Sequence, residues 1–509
     1  MKRTRRFRVH HRKQHHVTKH AGSGVTVLES YQFFANNIPV HVTIARLPTD
    51  YVPIYRISTP GITATTAIVL ERIRKDLINE VQLEISDITD PKRSTEIEQR
   101  FEKAIEQLVH RHFPDADEKT LGFLTANVIQ RSFGLGEMEN LMHDEHLEEV
   151  AVNSSDEPIW VYHRKWGWLK TTIRLQDEDQ IRHYASMIGR KVGRQLNLLE
   201  PLMDANLKTG DRVNATLNPI SAQGNTITLR KFASKPWTIT DMIANKTISV
   251  NAAAFIWEAL QYEVSALVSG GTATGKTSFL NSLSAFFPPN QRIISIEDTR
   301  ELQLPRFLQW VPMVTRLPNQ EGKGSITMLD LMVNSLRMRP DRILVGEIRR
   351  QREAEVLFEA IHTGHSVYAT VHANNAEETI TRLTNPPIQI PKSMLPALSM
   401  IICQYRNRRS GIRRTFQVAE ILDSGEPNVI MQYDLRRDTM STRNRSRSIL
   451  NTIHLYTGVT PREMRSHLHE KERVLKYLVK DNLNTVDAVG QVMADYYADP
   501  ESLLRRIRS

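Results

Sequence analysis

Residues Gly270-Gly271-Thr272-Ala273-Thr274-Gly275-Lys276-Thr277 follow the spacing G-x-x-x-x-G-K-[ST], and each position has a use if the ligand is a chain of phosphates. Small residues let the backbone wrap closely, so that successive N–H groups point into one concavity. Lys276 adds a charge aimed at the outer phosphates. Thr277 offers its hydroxyl to Mg2+, and Ser278 carries the motif into the next helix. The positive end of that helix then faces the anion. The context fits: an apolar run, Val264 to Val268, precedes the loop, and Ser278 to Leu283 reads as a helix start.

Three later segments supply what hydrolysis of a bound phosphate would need. Ile296-Glu297-Asp298-Thr299-Arg300-Glu301 follows a predicted strand, so its acids fall at the carboxyl edge of a sheet, where a P-loop also lies. Arg342-Ile343-Leu344-Val345-Gly346-Glu347 is an apolar strand ending in a carboxylate that can hold Mg2+ directly or through water. Gly364 to Ala373 places His365 and His372 on either side of another strand, whose end can approach the γ-phosphate, and both histidines are catalytic candidates. Glu297 is assigned to orient the water and Glu347 to hold the metal with Thr277; the two glutamates are interchangeable at this level.

Positioning these groups takes alternating strands and helices, hence a mostly parallel sheet flanked by helices. The predicted strands are 264–268, 292–296, 342–345 and 366–371. Ser325 is predicted to cap a helix ending at Met338, and a second helix spans about Arg352 to His362. Upstream, helices are predicted over 64–80 and 94–112. A hairpin is predicted around Arg164-Lys165-Trp166-Gly167, with Trp166 and Trp168 as packing residues. The resulting division is a basic tail over 1–24, a mixed α/β region over 25–140 and a second N-terminal subdomain over 141–232. A linker over 233–240 and a P-loop domain over 241–435 follow. The arginine- and serine-rich segment 436–448 reads as a loop, and helices complete 436–509, with a capping box at Thr460-Pro461-Arg462-Glu463.

Composition bounds the partners. The chain has 509 residues and a net charge of +10. Residues 1–20 hold eight Lys and Arg and no acid, so the tail is predicted to be disordered and drawn to anionic lipid. The single cysteine, Cys403, excludes an internal disulfide and suits a cytoplasmic location. No apolar run is long enough to span a membrane.

The order of P-loop, Glu297-Asp298-Thr299, Gly346-Glu347-Ile348-Arg349 and the His365/His372 pair resembles the secretion and type IV filament assembly ATPases. Val314-Thr315-Arg316 and Pro158 to Arg164 are most similar to the archaeal branch, with its archaellum and pilus motors. The resemblance implies a RecA-like P-loop ATPase domain preceded by a smaller α+β domain and followed by a helical segment. It also implies ATP and Mg2+, a homohexamer, and a polytopic platform protein at the cytoplasmic membrane face. Nucleotide would sit between two domains, and Arg212 and Arg230 match the arginines that reach the phosphates. The four-cysteine zinc module of some relatives is absent. A type IV secretion or DNA-uptake traffic ATPase is the alternative. A nucleic-acid translocase ranks below both, and nucleic acid is not an expected partner.

Overall fold

Two nine-stranded β-sheets carry the chain, which divides into two compact units between Phe232 and Ala233. The computed structural model describes residues 25–81, 94–132, 134–207, 209–232, 235–318 and 322–507. The tail over 1–24 lies outside them.

In the first unit the strands are β1 (Thr26–Ala35), β2 (Ile38–Arg46), β3 (Ile54–Ser58), β4 (Leu147–Val152), β5 (Trp160–His163), β6 (Gly167–Thr171), β7 (Leu202–Asn206), β8 (Arg212–Thr216) and β9 (Thr226–Arg230). Their order is β1-β2-β3-β6-β5-β4-β9-β8-β7. Asn36 and Asn37 both adopt positive φ, which gives the tight turn that pairs β1 with β2. Alternation then buries Val40, Val42 and Ile44 on one face. A boundary at 140/141 cuts across this sheet, because β3 pairs in parallel with β6. The two N-terminal regions therefore share one sheet. The helices predicted at 64–80 and 94–112 are Ala64–Glu80 and Ser94–His112. Leu70, Ile73, Leu77, Ile105 and Leu108 form a separate small core with Val128 of the helix Glu118–Ser132. Trp166 donates its ring N–H to Glu29 at 2.6 Å, while Trp168 packs edge-on against Tyr162 and stays partly exposed.

In the second unit the strands are β10 (Ala266–Gly270), β11 (Arg292–Glu297), β12 (Gln309–Val314), β13 (Arg342–Val345), β14 (Ser366–Val371), β15 (Met400–Arg406), β16 (Arg413–Ile421), β17 (Pro427–Asp434) and β18 (Thr439–Thr442). The order is β12-β11-β13-β14-β10-β15-β16-β17-β18. Pairing is parallel from β12 to β15 and antiparallel from β15 to β18. Central strands such as β13 and β14 are buried along their whole length, as both faces of a parallel sheet require.

Three local expectations change. The helix Met328–Ser335 is capped by Thr327, not Ser325: Thr327 accepts the N–H of Asp330, and Asp330 accepts that of Thr327. Only Thr327 has an acid three residues on, so only it forms the reciprocal pair. The chain reaches Met338 through a short 3-10 turn. Segment 436–448 is not all loop, because Thr439–Thr442 pairs with β17. The C-terminal helices Ile449–Thr457, Pro461–Lys480, Val486–Ala498 and Pro500–Arg506 belong to the second unit. Their apolar residues share one core with the helices Val250–Gln261 and Lys276–Leu283. The capping box Thr460/Glu463 is present. Among the described residues no helix is long and apolar enough to cross a membrane.

Candidate active site

The P-loop joins the end of β10 to the helix Lys276–Leu283. Its shape is dictated residue by residue. Gly270 has φ +159, and a Cβ there would stand 2.4 Å from Thr274 Oγ1 and 2.9 Å from Gln404 O. Gly275 is left-handed, φ 89 and ψ 30, and starts the helix; Ala273 also has positive φ. Thr274 donates to Gly271 O at 2.9 Å, which holds the loop closed. Lys276 lies across it, with Nζ 3.0 Å from Gly270 O and 3.2 Å from Gly271 O. Burial lowers the pKa of this ammonium, while the Glu347 carboxylate opposes the shift. Thr277 and Ser278 occupy the first helical turn, where N–H groups are unpaired and the dipole is positive. A tight glycine-shaped loop, a lysine and a helix start together fit a polyphosphate.

Parallel pairing brings the ends of β10, β11, β13 and β14 to one edge, so Glu297, Glu347 and His372 share the edge that carries the P-loop. Glu297 closes β11 and is 2% exposed. Its Oε1 accepts the N–H groups of Glu301 and Leu302 at 2.9 and 3.0 Å. Its Oε2 is buried with no hydrogen-bond partner. Burial raises its pKa to about 7, against the pull of the two N–H groups. A carboxyl poised near neutrality with one free oxygen is equipped to take or orient a proton. Asn281 on the P-loop helix accepts the N–H of Gln303 and so ties the following loop to the site.

Glu347 is partly exposed and paired with Arg349, whose Nε and Nη2 lie 2.9 and 2.7 Å from its Oε2. Arg349 also binds Asp298 at 2.8 Å, so one guanidinium joins the loops after β11 and β13. Neither Arg349 nor Asp298 is given a role by the sequence reading. The signal was there, since both lie within the motifs that carry Glu297 and Glu347. Among the described residues no group of three or more His, Cys, Asp or Glu side chains could hold a metal. A divalent ion at Thr277 and Glu347 would take its other ligands from phosphate and water.

The two histidines separate. His372 directly follows β14, at the P-loop edge. His365 precedes β14, at the opposite edge, where Nδ1 lies 3.1 Å from Thr363 Oγ1 and 3.2 Å from Ala360 O. Seven positions of extended chain span about 23 Å, so the two cannot meet at one phosphate of the same P-loop. The sequence placed both at the site because it shows spacing but not direction.

Arg212 and Arg230 lie in the first unit, where they face each other across β8 and β9. Arg212 binds Asp204 through Nε and Nη2 at 2.9 and 2.6 Å. Arg230 stands opposite Glu149 of β4. Like charges directly opposite repel, and these two carboxylates offset that.

One further arginine touches the loop. Arg413, at the start of β16, donates from Nε to Ala273 O at 3.1 Å. Nothing in its local sequence marks it; it arrives by the pairing of β15 with β16.

The chain is 32% identical over 396 residues to an uncharacterized Methanocaldococcus jannaschii protein, covering 75% of this chain and 70% of that one. It is 28% identical to the type IV secretion system protein PtlH of Bordetella pertussis, covering 52% of this chain and 84% of PtlH. The crystal structure of the Legionella pneumophila ATPase DotB aligns with a TM-score of 0.42 and 19% identity, over 70% of this chain and 94% of DotB. Residues 133–447, more than half of the chain, match the type II/IV secretion system protein family, and the chain belongs to that family.

Proposed function

We propose that the chain is an Mg-ATP-hydrolysing motor. On this reading it works as a homohexamer at the cytoplasmic membrane face and drives assembly of an archaellum- or pilus-like filament, or type II-like secretion, through a polytopic platform protein. The observation that carries the hydrolytic part is Glu297: a carboxyl buried at the P-loop edge with one oxygen unpartnered. ATP bound in the loop would supply the phosphoryl group, and Mg2+ would offset its charge.

The chain's own groups then have distinct tasks. The loop amides and Lys276 hold the phosphates, Thr277 and Glu347 hold the metal, and Glu297 orients the water and accepts its proton. Glu347 would have to give up Arg349 to hold the metal, which would leave the Nε and Nη2 of that arginine for developing phosphoryl charge while Nη1 stays on Asp298. His372 stands near the outer phosphate. Arg212 and Arg230 are proposed as phosphate contacts. His365 has no part at its own P-loop.

Lys276→Ala should abolish ATP turnover while the protein stays folded by circular dichroism. Turnover equal to wild type would refute the site. The likeness to PtlH favours a second reading, a type IV secretion traffic ATPase. Stimulation of turnover by a platform protein supports the filament motor, and stimulation by a transfer substrate supports the second reading.

A further inference from the structure

The sheet order gives the P-loop two sides. Counting outward from β10, the strands carrying Glu297 and Glu347 lie beyond β14, and β15 and β16 lie on the other flank. The groups suited to the terminal phosphate therefore all come from one side. A nucleotide lying across the loop with its outer phosphate toward β11 and β13 points its nucleoside toward β16. Arg413 stands there.

The details of that contact favour a base-facing role over a phosphate-facing one. P-loop N–H groups are the phosphate ligands, whereas Arg413 binds a carbonyl of the loop, Ala273 O. Its Cδ also lies 3.7 Å from where a Cβ on Gly275 would stand. The Arg413 side chain thus lies against the loop between Ala273 and Gly275. Among the described residues Arg413 forms no ion pair.

The strand around it is fixed. Arg414 binds Asp438 at 2.7 Å and Asn245 O at 3.3 Å, and Thr415 N donates to Thr247 O at 2.6 Å. The register between β15 and β16 shifts by one between Cys403 and Gln404, where Phe416 of β16 is the extra residue, so that Arg406 stands opposite Arg413. Bulges beside a site re-aim side chains in this way.

We propose that Arg413 is the nucleoside-side ligand of the P-loop, its planar guanidinium, tethered by Nε to Ala273, stacking on the base of a bound nucleoside triphosphate. A guanidinium offers a flat, weakly hydrated face to an aromatic ring, and an ammonium does not. Such a stack reads the π-face and not the base edge, so it favours any nucleotide over bare polyphosphate.

The inference rests on the nucleotide reading of the loop, and one comparison separates the two. ATP and tripolyphosphate are titrated by calorimetry, each with Mg2+, into the wild-type full chain, Arg413→Ala and Arg413→Lys. The expected result is roughly tenfold weaker ATP binding in Arg413→Ala with tripolyphosphate unchanged. Unchanged tripolyphosphate binding also shows that the loop keeps its shape. Arg413→Lys keeps the charge without the flat face and should lose most of the same preference. Equal weakening of both ligands would make Arg413 a phosphate ligand or a loop support, and no weakening of either would leave it without a role in binding; both outcomes overturn the inference alone. A wild-type protein that binds neither ligand overturns the nucleotide reading and this inference with it.

Discussion

Two glutamates of the second unit are equally hidden from water and are treated in opposite ways. Glu258, on the helix Val250–Gln261, is 0% exposed and meets Lys471 Nζ, with His467 Nδ1 at 3.3 Å. Trp257 and Tyr496 stand around the lysine, their ring centroids 5.4 and 5.2 Å from Nζ. Burial lowers the Lys471 pKa, and the Glu258 carboxylate opposes that shift. Glu297 is 2% exposed, has two backbone N–H groups on one oxygen and nothing on the other. A third glutamate, Glu420, is fully served by neutral donors: Asn428, Ser446 and the N–H groups of Arg447, Ser448 and Ile449. Buried carboxylates are normally compensated. Compensation, not burial, separates a carboxylate that holds the fold from one free to act.

The largest effect expected from this contrast is on turnover. If Glu297 is the proton acceptor, Glu297→Gln should slow hydrolysis by about 10²–10⁴-fold while nucleotide affinity stays near wild type. Single-turnover hydrolysis beside equilibrium binding checks it. A loss below about threefold would make its unpartnered oxygen an idle defect and erase the contrast. Glu258 has no such task, so its perturbation should appear as lost stability. Lys471→Ala strands a buried carboxylate and should cost about 3–5 kcal/mol, read by urea unfolding of the full chain. Replacing both partners by apolar residues, Glu258→Leu with Lys471→Met, should recover most of that loss. A cost under about 1 kcal/mol for Lys471→Ala would mean that water reaches Glu258 and that the two sites do not differ as described.

The sequence disclosed the acting glutamate but not the compensated one. Glu297 was legible because it follows a strand and precedes an acidic cluster, a local pattern tied to a nearby P-loop. Glu258 and Lys471 are more than two hundred positions apart, and nothing local links them; only the docking of Pro461–Lys480 onto Val250–Gln261 brings them together. The same limit hid β15 to β18 and, with them, Arg413. Short apolar strands such as β10 and β13 could be read from their own residues, whereas β12 and the antiparallel flank carry weaker patterns that pairing completes. His365 shows the converse error. Its spacing from His372 was correct, yet an extended strand turns seven residues into opposite edges of a sheet.

The smallest effect is the one that tests compensation most directly. Glu297 ordinarily titrates at 4.5 and is raised to about 7 in the folded chain by burial. Between these values the folded state keeps a proton that the unfolded state has released. Stability must then fall as pH rises through that window, by about 1.4 kcal/mol per pH unit, or roughly 3 kcal/mol in all once pH exceeds 7. Glu297→Gln carries no charge to bury, so it escapes this loss. Its stability relative to wild type should rise from near zero at pH 4.5 to a plateau of about 2–3 kcal/mol by pH 8, measured by urea unfolding across that range. Glu258→Gln should destabilise instead, because it leaves the Lys471 ammonium buried without its counter-charge. The same chemical change should thus stabilise the chain at one glutamate and destabilise it at the other. Two variants that moved in the same direction at pH 8 would show that Glu297 is compensated after all, and that its unpartnered oxygen is not a reserve held for chemistry.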